Sequence, residues 1–422
     1  MSARSQAIVV VGASLAGVRA AEELRGEGFD GSITVVGDEV HAPYDRPPLS
    51  KQVLAGHWDI DRLPLTAGVD GGIDALDLEL RLGTSATGLD LHARQVILAD
   101  AERLGFDGLV IATGATPRRL PGSEGLSGVH TLRTLDDCLA VRAEVDAGAR
   151  RLVVVGAGFI GAEVAATCRT RGLDVTILEA LPVPLGQALG EEMGSVLADL
   201  HRDHGVDVRL GTAVAGLDGG GDGRVERVRL ADGAAIEADL VVVGIGVVPN
   251  TGWLEGSGLT LDDGVVCDAT TLAAPGVVGA GDVARWPSRR FGELLRVEHW
   301  DNAIAMGAHA ARRLLAWLDA EQANGGRASR EPEPYDPVPW FWSDQYDRKI
   351  QLAGRSAGAD EVRVVDGSTG ERRFVALYRR GDRLVGALAM NRPRQLLAYQ
   401  RLIDRGASWA EAIGSADPSA RS

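Results

Sequence analysis

Ile8-Val9-Val10-Val11-Gly12-Ala13-Ser14-Leu15-Ala16-Gly17 begins as a β-branched apolar run and breaks into glycine. Such a run reads as a buried parallel strand. The stretch after it, Val18–Arg25 (VRAAEELR), has helical composition. Strand, tight turn and helix therefore follow in the order that a dinucleotide-binding fingerprint requires. The start of the helix offers unpaired N–H groups and a positive dipole end to a pyrophosphate. A second strand, Ser32–Gly37, leads into Asp38, 21 residues beyond Gly17, where a carboxylate can accept hydrogen bonds from ribose hydroxyls. Ser14 stands where the pattern has its middle glycine, and its small side chain still permits close approach.

The arrangement returns at Arg151-Leu152-Val153-Val154-Val155-Gly156-Ala157-Gly158-Phe159-Ile160-Gly161-Ala162-Glu163, this time with G-x-G-x-x-G complete. The next strand, Asp174–Leu178, ends at Glu179, 18 residues past Gly161. A carboxylate there favours a free 2′-hydroxyl and repels a 2′-phosphate, and no arginine or lysine follows within the next few residues. NADH is therefore expected rather than NADPH. Two motifs 144 residues apart exclude a short repeat array and imply two full-size nucleotide folds.

The bulk composition agrees with this reading. A chain of 422 residues is too long for one ordinary core, so two or three domains are expected. It contains no run of about 18 apolar residues, and its start lacks a signal-peptide pattern, so a cytoplasmic protein without a membrane span is expected. The net charge of −15 disfavours nucleic acid as the main partner. Lys51 and Lys349 are the only lysines. Cys138, Cys168 and Cys267 are far apart and form no C-x-x-C pair. A disulfide framework, a zinc site and an internal iron–sulfur cluster are accordingly not expected, and each cysteine reads as a buried filler. No metal site is expected, since no His/Cys/Asp cluster has ligand spacing.

The paired folds resemble the two-dinucleotide flavoprotein reductases. Leu109–Pro117 (LVIATGATP) is similar to that family's strand leaving the FAD domain, Leu240–Asn250 (LVVVGIGVVPN) to the strand returning to it, and Val278–Ala284 (VGAGDVA) to its second FAD fingerprint. Within the superfamily, Pro43-Tyr44-Asp45-Arg46-Pro47-Pro48-Leu49-Ser50-Lys51 closely resembles the ferredoxin reductases of the putidaredoxin-reductase type, which serve cytochrome P450 and ring-hydroxylating oxygenase systems. Val297–Ala303 (VEHWDNA) and Pro339–Tyr346 (PWFWSDQY) match the same branch. Disulfide-reducing relatives would carry a redox cysteine in the first domain, and this chain has none before Cys138.

The resemblance implies an α/β protein with two Rossmann-like domains, for FAD and NAD, and a C-terminal α+β domain. The expected boundaries are 1–113 and 245–325 for the FAD-binding segments, 114–244 for the NAD domain and 340–412 for the third. Gly325–Pro339 is a Pro/Gly-rich linker, and residues from about 414 onward read as disordered. Expected strands in the third domain are Lys349–Leu352, Glu361–Asp366, Glu371–Arg379 and Arg383–Met390, followed by a helix at Leu396–Asp404.

The resemblance also implies roles. FAD would be held by Gly12, Ser14, Ala16, Gly17, Asp38, Arg46, Lys51, Ala86, Thr113, Gly114, Arg133, Gly281, Asp282 and Trp300. Ala16, Ala86 and Trp300 would act through backbone groups, and Asp282 through the ribityl chain. NADH would meet Gly156, Gly158, Phe159, Ile160, Gly161, Glu163, Glu179 and Gly246. Lys51 and Glu163 would be catalytic, placing positive charge where a reduced flavin develops negative charge. Trp300, Trp340 and Trp342 would shield the isoalloxazine or shape a docking surface. The implied partner is a small acidic 2Fe–2S ferredoxin, docking transiently on a basic patch drawn from Arg285, Arg289, Arg290, Arg296, Arg348 and Lys349. Rubredoxin reductase is a second reading, and an NADH-sensing flavoprotein of the apoptosis-inducing-factor type a third. Oligomeric state stays open.

Overall fold

A computed structural model describes residues 6–65, 72–323 and 332–415, arranged in two compact units. The first unit joins Met1–Asp45, Leu63–Thr116 and Val248–Pro339. Its six-stranded sheet runs in the order Leu272–Ala274, Val277–Gly279, Gly108–Ile111, Ala7–Val11, Ser32–Val36, Glu79–Arg81. All neighbours are parallel except the hairpin of the first two. The chain therefore leaves Ala7–Val11 between strands that lie on either side of it, which is the switch point where open α/β sheets bind ligands. The helix Leu15–Gly26 follows at once. The long helix Trp300–Gln322 packs closely on it: a Cβ added at Gly307 would lie 2.5 Å from the Ala16 carbonyl oxygen.

The second unit joins Arg46–Arg62, Pro117–Val247 and Trp340–Ser422. A five-stranded parallel sheet has the order Asp207–Arg209, Asp174–Leu178, Arg151–Val155, Leu240–Val243, Val129–His130. The helix Phe159–Thr170 follows its central strand. The C-terminal part is an antiparallel sheet ordered Trp340–Gln345, Arg348–Gly354, Arg383–Met390, Arg373–Arg380, Glu361–Ser368. One apolar cluster joins this sheet to the helix Gly186–Asp203, with Leu189, Met193, Leu197 and Leu200 against Phe341, Ile350, Phe374 and Leu388.

The described chain departs from the expected layout in particular places. Trp340–Gln345 is a strand, absent from the expected set, and helix formation begins at Pro393 rather than Leu396. Arg46–Arg62 groups with the second unit because Ser50, Lys51 and Leu54 are hydrogen-bonded to Glu163, Thr167 and Arg171. Of the expected linker, residues 325–331 lie outside the described residues. Residues 332–339 are tied down: Tyr335 is buried, and Asp336 accepts from the Ser288 hydroxyl at 2.5 Å and the Arg290 amide at 2.8 Å. Gly414 ends a helix that starts at Trp409, and the expected tail from 416 lies outside the described residues.

Candidate functional site

The first unit builds a cradle around Gly12. Its φ is +123°, and a Cβ there would sit 2.1 Å from the Ala112 carbonyl oxygen, so only glycine fits. Gly17 is equally constrained, its absent Cβ falling 1.9 Å from the Gly12 oxygen. Ser14 is different. It is the helix N-cap at φ −121°, ψ −168°, extended backbone open to any residue, which explains why this position tolerates departure from glycine. Gly281, at φ +72°, brings the second fingerprint to the same turn, since its added Cβ would meet the Ala16 side chain at 2.9 Å. Asp282 follows in the short 3₁₀ turn Gly281–Val283.

Around that cradle, Thr113 and Asn250 lock together: the Thr113 hydroxyl donates to the Asn250 carbonyl and the Asn250 amide to the Thr113 carbonyl, both at 2.8 Å. The Asn250 backbone amide also donates to the Gly114 oxygen at 3.0 Å. The Trp300 indole donates to Asp45 at 2.7 Å. Asp38 is exposed just beyond its strand, and Ala86 begins the strand Ala86–Asp90. The structure thus places Gly12, Ser14, Ala16, Gly17, Asp38, Ala86, Thr113, Gly114, Gly281, Asp282 and Trp300 in the first unit, whereas Arg46, Lys51 and Arg133 belong to the second.

In the second unit the complete glycine motif makes the same construction. Gly156 has φ +94° with its absent Cβ 2.3 Å from the Gly244 oxygen, and the Cβ position of Gly161 lies 2.3 Å from the Gly156 oxygen. Glu179 lies across this turn, accepting the Ala157 amide at 2.8 Å through Oε2 and the Leu181 amide at 2.9 Å through Oε1. Ile160, in the first turn of the helix Phe159–Thr170, and Leu181 and Ile245, just beyond the carboxyl ends of parallel strands, are exposed apolar residues. Gly246 lies beside Ile245 and accepts the Arg118 amide at 2.9 Å. The Phe159 ring packs edge-on to Phe341 at 4.2 Å.

The same unit holds the most polar buried cluster near these motifs. Glu163, 2% exposed, accepts from Lys51 Nζ at 2.7 Å, the Ser50 hydroxyl at 2.5 Å and the Ser343 hydroxyl at 2.7 Å. Burial of a charge is tolerated when it is paired and hydrogen-bonded, and here three donors meet one carboxylate. Lys51 also donates to the Pro47 carbonyl at 3.1 Å, which fixes the ammonium at the end of the 3₁₀ turn Pro47–Ser50. The same turn carries Arg46, whose guanidinium donates to the Arg133 carbonyl at 2.8 Å. Arg133 is in turn held by a capping box: Asp137 accepts the Arg133 and Thr134 amides while the Thr134 hydroxyl accepts the Asp137 amide.

The structure brings together Lys51 and Glu163, which the sequence analysis singled out, and adds Ser50, Ser343 and Gln345, which it did not. Period-two alternation in Trp340–Gln345 sets Ser343 and Gln345 on the same face as Phe341, and the fold buries that face, so two polar side chains share it with an apolar one. Trp340 and Trp342 occupy the other face, 5.4 Å apart and half-buried.

The expected basic patch is largely neutralised by the chain's own carboxylates. Arg285 pairs with Asp262 at 2.6 Å, Arg296 with Asp263 and Glu298, Arg348 with Asp347, and Lys349 with Asp344 at 3.3 Å. Arg290 is bound to Asp336, and Arg289 is exposed. All three cysteines are buried and unbridged, and burial pushes each thiol up to about 12. No helix among the described residues is long and apolar enough to cross a membrane.

Comparison with known proteins agrees with this geometry. Residues 6–307 match the family model described as pyridine nucleotide-disulphide oxidoreductase, and residues 340–421 the model described as reductase C-terminal. The chain is 40% identical to rhodocoxin reductase of Rhodococcus erythropolis, over 94% of this chain and 89% of that one. It is 36% identical to putidaredoxin reductase of Pseudomonas putida, over 94% of this chain and 91% of that one. Among solved structures it is similar to the covalent putidaredoxin reductase–putidaredoxin complex, with a TM-score of 0.89, 34% identity, and coverage of 99% of this chain and 97% of that one.

Proposed function

The chain belongs to the pyridine nucleotide-disulphide oxidoreductase family, and on that premise we propose that it is an FAD-containing NADH:ferredoxin reductase. It takes a hydride from NADH and passes electrons singly to a 2Fe–2S ferredoxin of a P450 or ring-hydroxylating oxygenase system. The observation that carries this reading within the family is the state of the thiols. No cysteine precedes Cys138, and all three are buried with thiols raised to about 12, so none supplies a thiolate for disulfide chemistry. Electrons must then leave by another route. A cytoplasmic location belongs to the same proposal; no helix among the described residues is long and apolar enough to cross a membrane.

The residues fit the two cofactors. In each glycine cradle a Cβ would collide with the chain's own backbone, so glycine permits the tight turn and close helix–strand packing that aim a helix N-terminus at a pyrophosphate. Gly12, Ser14, Ala16 and Gly17 would hold the FAD pyrophosphate, Asp38 the ribose and Asp282 the ribityl chain. Arg46, Ala86, Thr113, Gly114, Arg133, Gly281 and Trp300 complete that set. Gly156, Gly158, Phe159, Ile160, Gly161 and Gly246 would hold NADH, and Glu179 its adenosine ribose. When bound, FAD supplies the conversion of one two-electron donation into two single-electron ones. Lys51, anchored by Glu163, would present to the bound FAD the positive charge that favours negative charge on the flavin. Because five of the six candidate basic residues are already paired with carboxylates, these residues carry no net positive surplus, and docking of an acidic ferredoxin on them is transient and salt-sensitive.

Anaerobic stopped-flow mixing of the yellow protein with NADH, then with a 2Fe–2S ferredoxin, tests the reading. Fast bleaching followed by rapid ferredoxin reduction is the expected result. Slow bleaching with a persistent long-wavelength band and no onward transfer would move the protein to the NADH-sensing class.

The coenzyme preference has its own check. Glu179→Arg is expected to lower the NADH/NADPH ratio of kcat/KM at least tenfold, about 1.4 kcal/mol, by replacing the carboxylate that repels a 2′-phosphate. Unchanged discrimination in steady-state assays would remove Glu179 from that role.

A further inference from the structure

Lys51 stands in a short turn that is tied to two helices of the second unit. The turn's own amides serve few of its carbonyls: those of Lys51 and Val53 donate to Pro48 at 3.1 and 3.0 Å, and that of Ala55 to Lys51 at 2.8 Å. Other carbonyls take side-chain donors. From the helix Leu135–Asp146, the Cys138 thiol donates to the Leu49 carbonyl at 3.1 Å, and the Arg142 guanidinium reaches that of Val53 at 3.5 Å. From the helix Phe159–Thr170 and its cap, the Thr167 hydroxyl donates to the Ser50 carbonyl at 2.8 Å and Arg171 to that of Leu54 at 3.1 Å.

The spacing matches on both sides of these contacts. Cys138 and Arg142 are four residues apart, as are Thr167 and Arg171, so each pair shares one face of its helix. Their acceptors, Leu49 with Val53 and Ser50 with Leu54, are also four apart. Glu163 extends the second face by one turn, and it accepts the Ser50 hydroxyl and the Lys51 ammonium. Arg171 closes the frame by donating at 2.5 Å to Asp146, four residues beyond Arg142. Leu49, Ser50, Val53 and Leu54 are all buried, so a carbonyl that lost its donor would find little water. Burial pushes the Cys138 thiol up to about 12, so it keeps the proton it donates.

The consequence falls on Lys51. Its ammonium has three N–H donors, and two are spent on the Pro47 carbonyl and on Glu163 Oε2. Fixing two directions of a tetrahedral group fixes the third. Pro47 and Ser50 are the ends of one 3₁₀ turn, and Ser50 is the residue that Thr167 holds. Glu163 and Thr167 lie one turn apart on a single helix. Both anchors of the ammonium therefore share a frame with Thr167. We propose that Thr167 is a positioning residue for hydride transfer: by holding the Ser50 carbonyl, it sets the direction of the Lys51 ammonium. The kinetic part rests on the reductase reading given above; the tethering of the turn does not.

The test compares full-length holoenzymes carrying Thr167→Val, which removes the hydroxyl at nearly constant volume, and Thr167→Ser, which keeps it. Hydrogen–deuterium exchange in the peptide spanning residues 48–56 is expected to be about tenfold faster in Thr167→Val and unchanged in Thr167→Ser. In single-turnover flavin reduction, Thr167→Val is expected to lower the limiting rate about tenfold, with the Kd for NADH within about twofold of wild type. Thr167→Ser should restore the rate. On a Lys51→Met background, Thr167→Val should slow reduction no further, because it acts through that ammonium. Unchanged exchange in Thr167→Val overturns the tether. An unchanged rate, a loss confined to Kd, or a further loss on the Lys51→Met background overturns the positioning role. Should Thr167→Val not retain flavin, Arg171→Gln, at the other end of the same tether, carries the same comparisons and the same expected results. Failure of the wild-type flavin to bleach with NADH would sink the reductase reading instead, leaving the exchange result standing.

Discussion

Replacing Lys51 by methionine is expected to slow flavin reduction about 100-fold and to destabilise the second unit by about 3 kcal/mol. The argument is electrostatic. The side chains of Lys51 and Glu163 are 12% and 3% exposed and meet at 2.7 Å, so removing the cation leaves a carboxylate in a dry site. Breaking such a pair from one side costs roughly 3–5 kcal/mol. The lower end applies because the Ser50 and Ser343 hydroxyls still donate to Glu163. Stability and catalysis should separate in a second variant. Adding Glu163→Gln to Lys51→Met removes the orphaned charge while keeping an acceptor for one hydroxyl, and should recover about 2 kcal/mol without recovering the rate. Urea denaturation and stopped-flow reduction measure the two. If the double variant were less stable than Lys51→Met, desolvation of an unpaired charge would not be what Lys51 relieves.

The second large effect is expected at Gly12. In Gly12→Ala the new Cβ meets the Ala112 carbonyl oxygen at 2.1 Å and its carbon at 2.4 Å, on a backbone already at φ +123°. Neither contact relaxes easily. The Gly12 amide donates to Val36 at 2.7 Å and the Ala112 amide to Val11 at 2.8 Å, so the turn is clamped among three strands. Overpacking and left-handed strain, each about 1–3 kcal/mol, act together at the place assigned to the FAD pyrophosphate. The variant should purify nearly colourless, with less than about a tenth of the wild-type flavin absorbance per chain. Ser14→Gly is the matching control: it completes the glycine pattern at an unstrained position and should keep its flavin, shifting stability by no more than about 1 kcal/mol. Full flavin retention in Gly12→Ala would show that the close approach at this turn does not serve the cofactor.

Both glycine cradles, the strands that feed them and the acidic residues after the second strands were legible in the sequence, because each depends on chemistry within a few neighbouring residues. A β-branched run ending in glycine specifies strand and turn locally, and the structure has Asp174–Leu178 where the pattern put it and Ala7–Val11 within one residue. The family was legible too, through short motifs and the lack of any cysteine before Cys138. The surroundings of Glu163 were not. Its partners Ser50 and Ser343 stand 113 and 180 residues away in the chain, and nothing local to Trp340–Gln345 says which face is covered. That face is decided when Phe341 packs with Leu189, Met193 and Leu197 and edge-on to Phe159, which turns Ser343 and Gln345 inward as well. The basic residues carry the same lesson. Arg290 and Arg296 read as free positive charge in sequence, but folding sets them against Asp336 and Asp263, 46 and 33 residues distant. Local backbone preference thus determined the cofactor folds, whereas burial and charge pairing, which depend on distant segments meeting, were decided only by the tertiary structure.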